Sequence, residues 1–72
     1  MIIILNQDKD TIRKLFGVYT ESDCTVHGKT STTQATYLGR YDTHKRCKEI
    51  IEEIVRHIDE YSMLEVYKMP EK

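Results

Sequence analysis

The stretch that decides the fold is Cys47-Lys48-Glu49-Ile50-Ile51-Glu52-Glu53-Ile54-Val55-Arg56-His57-Ile58-Asp59-Glu60-Tyr61. Its apolar residues, Cys47, Ile50, Ile51, Ile54, Val55, Ile58 and Tyr61, recur at intervals of three and four, the period of one helix face. Just before it, Asp42 or Thr43 can cap a first turn through a side-chain oxygen. The spacing therefore predicts a helix over about residues 43–61. Such a helix is apolar along a stripe only, so it has to lie against a sheet.

The residues on either side supply that sheet. Ile2 to Leu5 is a β-branched run closed by the turn-forming Asn6-Gln7-Asp8-Lys9-Asp10, which reads as a strand over residues 2–6. Its apolar residues do not alternate, so it asks for burial on both faces. Residues 11–20 form a second extended stretch, bent or bulged near Gly17. After the turn Glu21-Ser22-Asp23, residues 24–29 and 33–41 read as a hairpin around Thr30-Ser31-Thr32. Alternation puts Cys24, Val26 and Gly28 on one face, and sets Thr36, Leu38 and Arg40 opposite Ala35, Tyr37 and Gly39. Beyond the helix, residues 64–68 alternate as a short strand and Met69-Pro70-Glu71-Lys72 reads as a tail. The expectation is one α+β domain over residues 1–72: an antiparallel meander of about four strands, one long helix packed on it, and a possible short C-terminal strand.

Composition narrows the function classes. The chain has 72 residues, and eleven basic against twelve acidic side chains leave a formal charge of −1. A domain this small buries only about 60% of its unfolded surface, which excludes barrels and doubly wound sheets. A near-neutral chain is no polycation, so nucleic-acid binding would have to rest on a local patch. Two cysteines are too few for a disulfide scaffold. The apolar run after Met1 has no basic segment before it and ends at Asn6, unlike a signal peptide. No stretch approaches the roughly 20 apolar residues that span a bilayer. These features lead to the expectation of a cytoplasmic protein with free thiols and no membrane partner. One helix covers one face of a sheet, which leaves the Ile2–Leu5 run short of cover. A homodimer or higher oligomer, by edge pairing or by face packing, would supply it; a sheet curled over itself is the alternative.

Among motifs, Cys24-Thr-Val-His27 and His44-Lys-Arg-Cys47 give C-x2-H and H-x2-C, residue types that suit tetrahedral zinc. In a regular strand, however, Cys24 and His27 point to opposite faces, and Cys47 opens the apolar stripe, where a small thiol packs without any ligand role. Packing is the preferred reading, with no metal and no cofactor. A Cys47–His27 nucleophile lacks an orienting third group, and neither a nucleophile elbow nor a phosphate loop is present. The chain reads as a non-enzyme.

The charge layout of the helix is anomalous. Residues 40–48 carry four positive charges and one negative, whereas residues 49–60 carry Glu49, Glu52, Glu53, Asp59 and Glu60 against Arg56. The helix dipole favours the reverse order by about 0.3–1 kcal/mol per group, and departures from a local rule tend to mark function. Free N–H groups at the helix start, ringed by Arg40, His44, Lys45, Arg46 and Lys48, make an anion site. Tyr37 and Tyr41 on the preceding strand would stand by to stack on a ring. The plainer reading is a solvated face with Lys45–Glu49 and Lys48–Glu52 pairs.

The opening Ile-Ile-Leu-Asn-Gln-Asp-Lys, the block Leu38-Gly39-Arg40-Tyr41-Asp42-Thr43 running into Arg46-Cys47-Lys48-Glu49-Ile50-Ile51, and the ending Val66-Tyr67-Lys68-Met69-Pro70 carry a resemblance. The chain resembles a group of very small, mostly uncharacterised proteins of phages, prophages and conjugative elements of Gram-positive bacteria. Members have alanine where this chain has Cys47, which favours packing over metal there. The likeness brings no catalytic residues with it. It implies a mobile-element setting and an anti-defence role, by binding a host defence protein or a nucleotide-like anionic signal. A small nucleic-acid-binding accessory homodimer is the alternative.

Overall fold

The computed structural model describes residues 2–60 and 65–72. Over these the chain runs β1 (Ile2–Leu5), β2 (Ile12–Leu15), β3 (Gly17–Thr20), β4 (Thr25–Lys29), β5 (Ala35–Arg40), α1 (His44–Glu60) and β6 (Val66–Lys68). One sheet has the order β2-β1-β6, with β1 antiparallel to β2 and parallel to β6. The other is the antiparallel order β3-β4-β5. This is the α+β fold that the pattern predicts, with a single long helix and the short C-terminal strand. Positions 61 and 64, where the expected helix ends and the final strand begins, lie outside the described residues.

The core is made by Ile2, Ile4, Leu15, Val26, Leu38, Tyr41, Cys47, Ile50, Ile54 and Met69. Helix α1 is capped by Thr43, whose Oγ1 accepts from the Arg46 N–H at 3.0 Å. It turns Cys47, Ile50 and Ile54 inward. Its apolar stripe is wider than its contact: Val55 and Ile58 stay exposed, so the expectation that Ile58 is a packed stripe residue is corrected.

The expected strand over residues 11–20 is divided at Phe16, and its halves join different sheets. Leu15 is the cause. Its side chain is fully buried, whereas Phe16 next to it is 65% exposed. Leu15 fits because Gly28 opposite it has no side chain; a Cβ there would lie 2.5 Å from Leu15 Cδ1. Gly28→Ala is accordingly expected to destabilise by about 1–3 kcal/mol through overpacking, read as a lowered denaturant midpoint at constant slope.

Two further departures follow from hydrogen bonding. Strand β5 does not alternate throughout: a register shift opposite Val26 and His27 makes Leu38 and Gly39 consecutive buried residues. The tail is a strap. Met69 N–H donates to Leu5 O at 3.0 Å and its side chain is buried. Tyr41 OH donates to Pro70 O at 2.7 Å. Gln7 joins strap and sheets, its Nε2 donating to Arg40 O and Glu71 O while its Oε1 accepts from Arg40 N–H.

Candidate functional site

The cations expected at the helix start occupy one end of α1, but they are not equivalent. Arg46 is committed inside the molecule. Its Nη1 pairs with Glu49 at 3.5 Å and Glu53 at 3.2 Å, and its Nε donates to Lys72 O at 3.1 Å. The i,i+4 pairs Lys45–Glu49 and Lys48–Glu52 are not formed; Arg46 takes Glu49 instead. Lys45 and Lys48 are exposed, with no ion pair among the described residues. His44 Nδ1 lies 3.2 Å from Glu21 O. A carbonyl only accepts, so this nitrogen carries the proton. Arg40 and Arg46 line a surface hollow together with Tyr41, Asp42, Glu71 and Lys72. The positive charge of this hollow is thus partly answered by the chain's own acids. Lys45, Lys48 and Arg40 remain as the cations open to an anion, beside a first turn that contains no acid.

The two tyrosines expected beside the helix start are not equivalent. Tyr41 belongs to the core, where burial raises its pKa and its hydroxyl is spent on Pro70. It positions the strap and is not open to stack on a ligand. Tyr37 packs edge-on against His27, with ring centroids 6.1 Å apart, and Tyr19 stacks on the same imidazole at 5.4 Å. The three are register partners across β3, β4 and β5.

His27 also ends a hydrogen-bond chain. Thr25 donates its hydroxyl to Asp23 Oδ1, and His27 Nε2 lies 2.8 Å from the same hydroxyl oxygen. A hydroxyl has one proton, so His27 Nε2–H is the donor to Thr25. The hydrogen bond from Thr25 holds the Asp23 carboxyl below the usual range, with Arg40 and His27 adding electrostatic support. The order carboxylate–hydroxyl–imidazole imitates a nucleophilic relay, but here the imidazole gives a proton to the hydroxyl. It cannot remove one, and Thr25 is buried. The chain fixes the Glu21–Thr25 turn, in which Cys24 takes a positive φ of 67°.

The zinc pattern does not define a cluster. Cys47 is a core residue and Cys24 is half-buried against the core. The described donor atoms that come within 4.8 Å of one another belong to Glu21, Asp23 and His27. Of these, Asp23 and His27 are already engaged with Thr25.

Sequence reasoning missed the outer face of the β2-β1-β6 sheet. The register pairs Ile3 with Lys14 and Val66, and Leu5 with Ile12 and Lys68, so these six side chains share the face turned away from the core. Ile12 is 60% exposed and Val66 is also exposed. Alternation in Ile12-Arg13-Lys14-Leu15 was the available signal, and reading residues 11–20 as one strand obscured it. No family model, curated protein or solved structure matches the chain. No helix of the described residues is long and apolar enough to cross a membrane.

Proposed function

We propose that this is a non-enzymatic binding protein of a phage or mobile element, working in the host cytoplasm as an inhibitor of a host defence protein. The mobile-element setting rests on the sequence resemblance. The binding role rests on one observation: the outer face of the β2-β1-β6 sheet carries exposed Ile12 and Val66 beside half-buried Ile3 and Leu5, with Lys14 and Lys68 among them. Contiguous exposed apolar surface marks interaction sites. These six residues include two cations and no acid, so the complementary partner is a protein surface or amphipathic segment with apolar anchors and flanking carboxylates.

The second reading, capture of a nucleotide-like anion at the helix start, is favoured by Lys45 and Lys48, which are exposed and have no ion pair among the described residues, beside an acid-free first turn. Nucleic acid fits less well, because affinity for it scales with phosphates neutralised and Arg46 is already engaged.

One pair of variants separates these readings. Ile12→Asp places a carboxylate beside the apolar residues of the outer face, next to Leu5. Lys45→Glu with Lys48→Glu reverses the open cations and leaves Arg46 its acids. Both variants are expected to fold, since all three positions are exposed. Protection of phage growth in cells carrying defence systems is expected to fail with Ile12→Asp and to survive the lysine reversal. The opposite result, with a thermal shift of the wild-type protein on adding cyclic nucleotides, would replace the protein partner with the anion. A ligand at about 100 times its Kd adds about 2.7 kcal/mol, a readily visible shift.

A further inference from the structure

We propose that the open edge of β3 pairs antiparallel with β3 of a second copy of this chain, about a two-fold axis. Strand β3 is the terminal strand of the order β3-β4-β5, so among the described residues one of its sides has no strand beside it. Proteins guard such edges with lysine, proline, a bulge or a covering segment. Three other edges here are guarded. Arg13 and Lys14 lie in β2, Lys68 in β6, and Gln7 hydrogen-bonds along the end of β5 at Arg40. Strand β3 reads Gly17-Val18-Tyr19-Thr20, with no charge and no proline.

The surroundings of β3 fit a second copy in particular. On its helix side Phe16, Val18, Val55 and Ile58 line an apolar hollow of about 180 Å³. Phe16 and Val55 are 65% and 53% exposed at its rim. An antiparallel pair closes the two hollows against each other. The charges also suit this arrangement. Lys29 is the register partner of Gly17 at one end of β3, and Glu21 follows Thr20 at the other. Across a two-fold axis antiparallel pairing opposes residues of the same sheet face, so Tyr19 meets Tyr19 and Gly17 of one copy lies across from Glu21 of the other. Lys29, beside Gly17 on that face, therefore approaches the Glu21 of its partner copy twice, once at each end. Parallel pairing would set like charges together. A four-residue edge makes an interface of the small class, so the association is weak and depends on concentration. The surface is separate from the outer face of the β2-β1-β6 sheet, and the two can be tested apart.

The test is sedimentation equilibrium of the full chain up to about 100 µM, with amide hydrogen exchange of residues 17–20 at two concentrations. The expected result is a monomer–dimer equilibrium, with exchange at β3 slowing as concentration rises. Gly17→Lys installs the missing edge lysine; a Cβ at Gly17 meets nothing within 4 Å and its φ is not positive. It should leave the melting temperature unchanged and weaken dimerisation by at least about tenfold. Lys29→Glu and Glu21→Lys should each weaken the dimer, and the two together should restore it. Ile12→Asp should leave the dimer intact. A wild-type chain that stays monomeric, a dimer indifferent to Gly17→Lys, or a dimer broken by Ile12→Asp overturns the proposal. Failure of the charge swap to restore association overturns the antiparallel register.

Discussion

Ile50→Ala is expected to remove about 2–5 kcal/mol of stability, a large share of what a small domain has. Ile50 is fully buried on the inner face of α1 among Cys47, Ile54 and the side chains of the sheets. Truncation loses its transfer free energy and leaves a cavity that helix and sheet cannot both move to fill. Val55→Ala on the same helix is the control. Val55 is largely exposed, and alanine has the higher helix propensity, so its melting should change little. Urea unfolding followed by circular dichroism gives both numbers, with an unchanged slope showing that the same surface is exposed. Equal midpoints for wild type and Ile50→Ala would mean that the helix does not pack through this face.

The helix was legible because its signal is local: seven apolar residues at one period, with Thr43 in place to cap it. The N-terminal strand was legible for the same reason, since a β-branched run closed by Asn6 and Asp10 fits little else. The division of residues 11–20 was not. Leu15-Phe16-Gly17 breaks alternation, and only the packing of Leu15 against Gly28, thirteen residues later, shows that the two halves enter different sheets. The reversed charge of the helix could be read directly, but which cation stays open could not. Arg46 reaches both Glu49 and Glu53 because the strap brings Lys72 O to its Nε. That choice is set by tertiary contacts, whereas sequence spacing alone favoured lysine pairs. The tyrosines show the same limit. Tyr37 and Tyr41 lie four residues apart near the helix start, yet one meets His27 and the other enters the core.

Met69→Ala is expected to cost about 2–5 kcal/mol, as deletion of a buried methionine does in a core that cannot fully collapse. Nothing local marks Met69 as structural, since it precedes proline at the end of a polar segment. Its role comes from contacts distant in sequence. Its N–H donates to Leu5 O, Pro70 O accepts from Tyr41, and Glu71 pairs with Lys9 at 2.6 Å and accepts from Gln7 through its carbonyl. The surface pair adds little, because both of its side chains are well exposed, so the buried side chain and the Tyr41 hydrogen bond must hold the strap. Tyr41→Phe keeps the ring and removes one hydroxyl, which is worth about 1 kcal/mol. If both groups anchor the same strap, the double variant Met69→Ala, Tyr41→Phe should cost less than the sum of the two. Once Met69 no longer docks, the hydroxyl has no fixed partner left to lose. Thermal or urea unfolding of the four proteins in this cycle measures the coupling. A frayed tail gives a different result: Met69→Ala then falls within about 0.5 kcal/mol of wild type, and the cycle is additive.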